Sequence, residues 1–147
     1  MENTALSVAY KIIDACTNKE MGDFISNLKL QKMLYYMQGF HLAFFDKPLF
    51  KEDIVAWQYG PVVPNVYRAF SAFGTSPLSV PDHTEIIQLG KKEENMFRSV
   101  TEIYGQFSAV RLMDMTHSEP PWKTTDINDV ISLNKLKRYF LTQIEED

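Results

Sequence analysis

Cysteine is almost missing from this chain: Cys16 stands alone among 147 residues. That excludes an internal disulfide and any cysteine-built zinc cluster within one chain. Cys16 falls on the apolar face of the first expected helix with no activating base nearby, so it reads as a small buried side chain rather than a nucleophile. Long hydrophobic runs are missing too, since no stretch of about 18 residues is apolar enough to cross a bilayer. The opening MENTALSVAYKIID lacks a basic segment followed by an apolar one and does not read as a secretory signal. Positive charge is not in excess: 15 Lys and Arg against 19 Asp and Glu leave a formal charge of −4, which gives no electrostatic reason to bind nucleic acid. No glycine-rich phosphate loop and no HExxH-type ligand pair occurs. The expectation is a cytoplasmic chain without membrane association or cofactor.

What is present is a core. A hydrophobic fraction of 45% and an aromatic fraction of 13% exclude general disorder, and a chain of this length buries about two thirds of its unfolded surface in one core. One domain over residues 1–147 is expected. The longest apolar element is Asn27 to Phe45, where Leu30, Met33, Leu34, Met37, Phe40, His41, Phe44 and Phe45 share a helical face. Ser26 or Asn27 supplies its start and Asp46-Lys47-Pro48 its stop. Lys29, Gln31, Lys32, Gln38 and Gly39 fall elsewhere, and the two lysines are expected to be solvated or to face a partner.

Around this helix the pattern predicts a mainly α, compact single-domain bundle of about five to seven helices with a small β-strand element. A first helix begins at Asn3 or Thr4, carries Ala5, Leu6, Ala9, Ile12, Ile13 and Cys16 on one face, and closes near Asn18 to Gly22, with Asp23 and Phe24 in the connector. Ile54 to Tyr59 reads as a short strand before a Gly60-Pro61 turn, and Pro64 opens a helix that Gly74 ends. Thr75 to His83 is a loop with a brief strand at Leu78 to Val80, which Ile86 to Leu89 can pair with. Met96 to Gly105 and Ser108 to Thr116 read as helices, the second stopping before Pro120-Pro121. A final helix after Ser132 buries Leu133, Leu136, Phe140 and Ile144, exposes Lys135, Lys137 and Arg138, and frays at Glu145 to Asp147, where acidic charge opposes the helix dipole.

Three constellations invite a chemical reading. His41 lies near the centre of the apolar face, which favours a core histidine held by one or two hydrogen bonds. Bringing His41, His117 and Glu119 together, with Asp114 as a further ligand, would make a metal-dependent hydrolase. The preferred alternative is structural: Thr116, His117, Ser118 and Glu119 fasten a helix end through side-chain to backbone bonds while Trp122 docks on the core. The third group is Trp57, Tyr59, Gly60, Pro61, Val62 and Tyr67, where aromatic side chains around a rigid turn can either present a contact surface or cover the core. Tyr35 and Tyr36 pose the same choice.

The stretches LKLQKMLYYMQGFHLAFF, PLFKEDIVAWQYGPVVPNVYRAF and YGQFSAVRLMDMTHSEPPW, in that order and followed by Ile131 and Tyr139-Phe140, resemble the Panacea domain, the SocA-like antitoxin family first known as a phage-associated domain. The residues that carry the likeness are Leu30, Lys32, Tyr35, Gln38, His41, Trp57, Gly60, Pro61, Val62, Tyr67, Thr116, His117, Glu119 and Trp122. Met37 and Phe40 depart from a family pattern of a small residue and then tryptophan, and Pro120 departs before Pro121. These changes keep the apolar or turn character.

The resemblance implies an antitoxin of a bacterial, prophage-associated toxin–antitoxin system. It would be a non-enzymatic protein, with no catalytic residue, metal or cofactor, that neutralises a cognate toxin, usually the product of an adjacent gene, by direct binding. Trp57, Tyr59, Gly60, Pro61, Tyr67 and Arg68 are the candidate partner-binding residues, because a few buried aromatic or arginine anchors carry most of an interface's affinity. An adaptor that delivers its partner to a protease is the alternative within the binding class, and the His41/His117/Glu119 hydrolase is the alternative from another class. Oligomeric state is left open by the sequence.

Overall fold

The computed structural model describes residues 3–17 and 25–144. The expected helix close at Asn18 to Gly22, the connector through Asp23 and Phe24, and the fraying tail at Glu145 to Asp147 lie outside these residues. Among the described residues there are seven α-helices: α1 (Ala5–Thr17), α2 (Asn27–Phe45), α3 (Pro64–Ala69), α4 (Lys91–Gly105), α5 (Ala109–His117), α6 (Pro120–Lys123) and α7 (Leu133–Leu141). Strands β1 (Ile54–Trp57), β2 (Gly60–Val62) and β3 (Val130–Ile131) form one antiparallel sheet in the order β2-β1-β3. No helix of the described residues is long and apolar enough to cross a membrane.

Helix α2 is the hub, and it is buried on every side rather than along one stripe. Its start follows the expected chemistry, with Ser26 Oγ accepting from Lys29 N, and it stops at Asp46, whose left-handed backbone returns an N–H to Leu42 O. Helix α7 crosses it so closely that a Cβ on Gly39 would lie 2.2 Å from the Phe140 ring. Its ends are less covered: Leu28 is partly exposed in the first turn, and in the C-terminal turn Phe44 is exposed although the periodicity put it in the core.

Because neighbours surround α2, its amide and lysine side chains point into protein and fasten the backbone of other segments. Lys29 Nζ donates to Gly105 O at 2.6 Å, capping the carbonyl end of α4. Asn27 Nδ2 donates to Tyr67 O at 3.0 Å, and Gln31 Oε1 accepts from Val63 N at 2.9 Å, so α3 is held at both ends. Lys32 Nζ donates to Pro61 O at 3.1 Å. Gln38 accepts from Leu49 N and donates to Phe50 O, fixing the chain as it leaves α2. The expectation of solvated lysines is therefore corrected: Lys29 and Lys32 are buried, because the end of α4 meets Lys29 and strand β2 covers Lys32.

Three other local expectations change. The turn of the hairpin is Gln58-Tyr59, not Gly60-Pro61, which belong to β2 in the register Trp57↔Gly60 and Ala56↔Pro61. Pro61 is tolerated because β2 is an edge strand. Residues 75–89 form no strand; Leu78 N instead donates to Ile25 O, and β1 takes β3 as its second partner. Pro120 and Pro121 start α6 rather than only ending α5, since the first helical turn needs no N–H from them. In α7, Leu136 and Phe140 are buried while Leu133 is exposed.

Candidate functional site

Beside the N-terminal half of α2 lies a cavity of about 460 Å³ whose walls include Asn27, Gln31, Lys32, Trp57, Tyr59 and Tyr67. The hairpin places its aromatic residues by alternation: Ile54 and Ala56 point into the core, and Val55 and Trp57 are half-exposed. Tyr59 rides on the two-residue turn and is 62% exposed. Tyr67 projects from α3, 38% exposed, and meets Trp57 edge to face with ring centroids 5.2 Å apart. Gly60, at φ 107°, sits against Lys32 and Thr116, and a Cβ there would lie 2.8 Å from Lys32 Cε and 2.9 Å from Thr116 Oγ1. Only a residue without a side chain fits both the backbone angle and the space.

Of the six residues expected to meet a partner, Trp57, Tyr59, Gly60 and Tyr67 line this cavity. Pro61 is buried behind it and Arg68 is exposed beyond it on α3. Asn27, Gln31 and Lys32 are wall residues that the helical pattern assigned to other surroundings. The available signal was the density of apolar residues between them, which leaves α2 no solvent side. Burial lowers the Lys32 ammonium from its usual range to about 7.

Behind the hairpin is a second polar arrangement. The Glu119 carboxylate accepts from Tyr35 OH and Tyr36 OH, each at 2.9 Å. Burial raises the Glu119 carboxyl above its ordinary value, while hydrogen bonds from Tyr36, Tyr35 and Tyr139 oppose the shift. The same burial pushes Tyr104 up to about 12 and raises Tyr35, Tyr36 and Tyr139 further. Tyr36 also stacks on Tyr104 at 4.1 Å, so the tyrosines seam α2 to α4 and α7. Tyr35 and Tyr36 are fully buried, whereas Tyr104 and Tyr139 are partly exposed at the edge of the seam.

The histidines occupy separate places. His41 is buried, with Nδ1 2.6 Å from Lys47 O and Nε2 2.5 Å from a Glu93 carboxylate oxygen. The hydrogen bond from His41 holds the Glu93 carboxyl below its usual value. His117 stacks on Trp122 at 4.1 Å, and Trp122 Nε1 donates to Trp57 O at 2.8 Å, tying α6 to the hairpin. Thr116 and Ser118 hydroxyls bond Met113 O and Met115 O. Glu119 differs from the expected backbone clasp, because its partners are tyrosine side chains. His41, His117 and Glu119 thus sit in three different sets of contacts, and among the described residues no three His, Cys, Asp or Glu side chains are grouped to hold a metal.

A sequence profile for "Antitoxin SocA-like, Panacea domain" matches residues 30–123, which takes in α2 from Leu30 onward, the hairpin, and α3 to α6. Antitoxin SocA of Caulobacter vibrioides is 33% identical over 109 residues, covering 67% of this chain and 58% of that relative. No solved structure matches significantly. The match takes in well over half of the chain, so the protein belongs to the SocA-like antitoxin, Panacea domain family.

Proposed function

We propose that residues 1–147 act as one antitoxin domain that neutralises a cognate toxin by stoichiometric, direct binding. The observation that carries this reading is the family relationship to a named antitoxin. The binding face is the aromatic rim of the cavity, with Trp57, Tyr59 and Tyr67 as anchors, Arg68 at the edge, and Gly60 and Pro61 shaping the hairpin. Exposed tyrosines and a half-buried tryptophan supply large contact area at small conformational-entropy cost, and such residues concentrate the affinity of an interface. The protein works in the cytoplasm without catalysis, on a toxin encoded by a neighbouring gene.

Co-expression with the product of each adjacent gene tests this. Rescue of growth, with the toxic product abundant and co-purifying, is the expected result. Rescue accompanied by disappearance of the toxic product would replace neutralisation with delivery to a protease. A set of neighbours without a toxic member, or a toxic one that neither binds nor is rescued, removes the reading.

A further inference from the structure

The cavity wall contains a lysine that no acidic group answers. Lys32 is 1% exposed, and its Nζ has one hydrogen-bond acceptor, Pro61 O. Among the described residues it forms no ion pair, and no aspartate or glutamate lines the cavity. The two amide side chains beside it are already engaged: Asn27 Nδ2 on Tyr67 O, Gln31 Nε2 on Asn27 Oδ1, and Gln31 Oε1 on Val63 N. The absence of a side chain at Gly60 lets the Lys32 stem lie against the hairpin backbone, where a Cβ would come within 2.8 Å of Lys32 Cε and 3.2 Å of Lys32 Nζ. An ammonium buried without a counter-charge is costly unless something supplies one.

We infer that the cavity receives an acidic side chain of a bound protein, whose carboxylate pairs with Lys32 while its aliphatic stem packs against the touching rings of Trp57 and Tyr67. This deepens the proposed function and rests on its choice of binding face. Three features select this occupant. The walls are largely aromatic and aliphatic, which suits the methylenes of glutamate. The one cation inside lacks a carboxylate, which gives charge complementarity. The volume, within the usual range for recessed sites, accommodates a side chain with its flanking backbone. Burial lowers the amine when the cavity is empty, so a bound carboxylate restores its charge.

The test uses the whole protein and the peptide acetyl-Ala-Glu-Ala-amide, with acetyl-Ala-Gln-Ala-amide and inorganic phosphate as comparisons. Two-dimensional NMR follows the Trp57 indole, the Tyr67 amide and the Lys32 ε-carbon. The glutamate peptide is expected to shift all three in a saturable way and to raise the Lys32 titration midpoint, while the glutamine peptide at equal concentration binds at least tenfold more weakly. Lys32→Met, checked for a folded spectrum, is expected to abolish the difference between the peptides. Equal binding of both peptides, no saturable binding by either, or a response to phosphate alone overturns the inference. The comparison of the two peptides on the unaltered protein holds even where Lys32→Met does not fold. No toxin enters this experiment, so its failure is separate from a failure of the antitoxin reading, which the co-expression experiment decides.

Discussion

Gly39 and Phe140 occupy one space: a Cβ on the glycine would lie 2.2 Å from two carbons of the phenylalanine ring. The contact fixes how closely α7 crosses α2, so Gly39→Ala is expected to destabilise the protein by about 1–3 kcal/mol through overpacking. Alanine's higher helix propensity, about 1 kcal/mol, offsets only part of this. Thermal unfolding should show a fall in Tm of roughly 2–4 °C per kcal/mol for a chain of this size. Combining Gly39→Ala with Phe140→Leu should recover part of the loss, and strict additivity would contradict the contact.

Glu119 holds two buried tyrosine hydroxyls. Glu119→Ala leaves both without their acceptor and is expected to cost about 2–5 kcal/mol, whereas Glu119→Gln retains an acceptor and costs less. Burial raises the folded carboxyl above its ordinary 4.5, so between the unfolded and folded values the native state binds the extra proton. The contribution of this group to stability therefore falls as pH rises through that window. Denaturant titrations across the acid range should show the slope in the wild type and its absence in Glu119→Gln.

Lys32 gives the opposite sign. Its folded value is lowered from 10.5 to about 7 by burial, so between these values the unfolded chain binds the extra proton and stability rises with pH. Relative to Lys32→Met, the wild type should gain up to about 1.4 kcal/mol per pH unit in that interval. At pH 7 and below, the methionine variant should be the more stable of the two, since it removes a buried, unanswered charge. Parallel stability curves for the two proteins would show that the ammonium is not desolvated.

The exposed anchors should separate binding from folding. Tyr59→Ala is expected to change stability by no more than about 0.5 kcal/mol, because Tyr59 is 62% exposed on the turn, while Tyr67→Ala is expected to cost about 0.5–1.5 kcal/mol more through loss of its edge-to-face contact with Trp57. The same changes should weaken toxin neutralisation at least tenfold, read as the antitoxin dose needed to restore growth. Unchanged rescue by the double variant would move the binding face away from the hairpin.

Much of this architecture is legible in the chain because it depends on local chemistry. Ser26 capping α2, Pro64 opening α3, Ser108 opening α5 and Ser132 opening α7 all follow from side-chain geometry at helix ends. What periodicity could not convey is how many neighbours an element acquires. A 3.6-residue pattern sorts α2 into an apolar face and a remainder, but the remainder is also covered, so Lys29, Lys32, Gln31 and Gln38 become internal ties rather than surface groups. The sheet was only partly visible for a related reason. Val130–Ile131 is two residues long, and its pairing with Ile54 and Val55 across more than seventy residues leaves no local signature. The cavity walls came out mixed: aromatic residues around a turn mark an exposed surface, whereas Lys32 reaches the same cavity from the interior through a tertiary contact with Gly60 and Pro61.

The central claim is that this protein neutralises a toxin by binding it through the cavity rim. Size-exclusion chromatography with mass measurement, applied to the purified product of the toxic neighbouring gene mixed with this protein, tests that claim most directly. A stable complex of fixed stoichiometry with inactive toxin in it is expected, and its loss in the Tyr59→Ala/Tyr67→Ala variant. Separate elution of two unaltered proteins, with toxin activity intact, would contradict it.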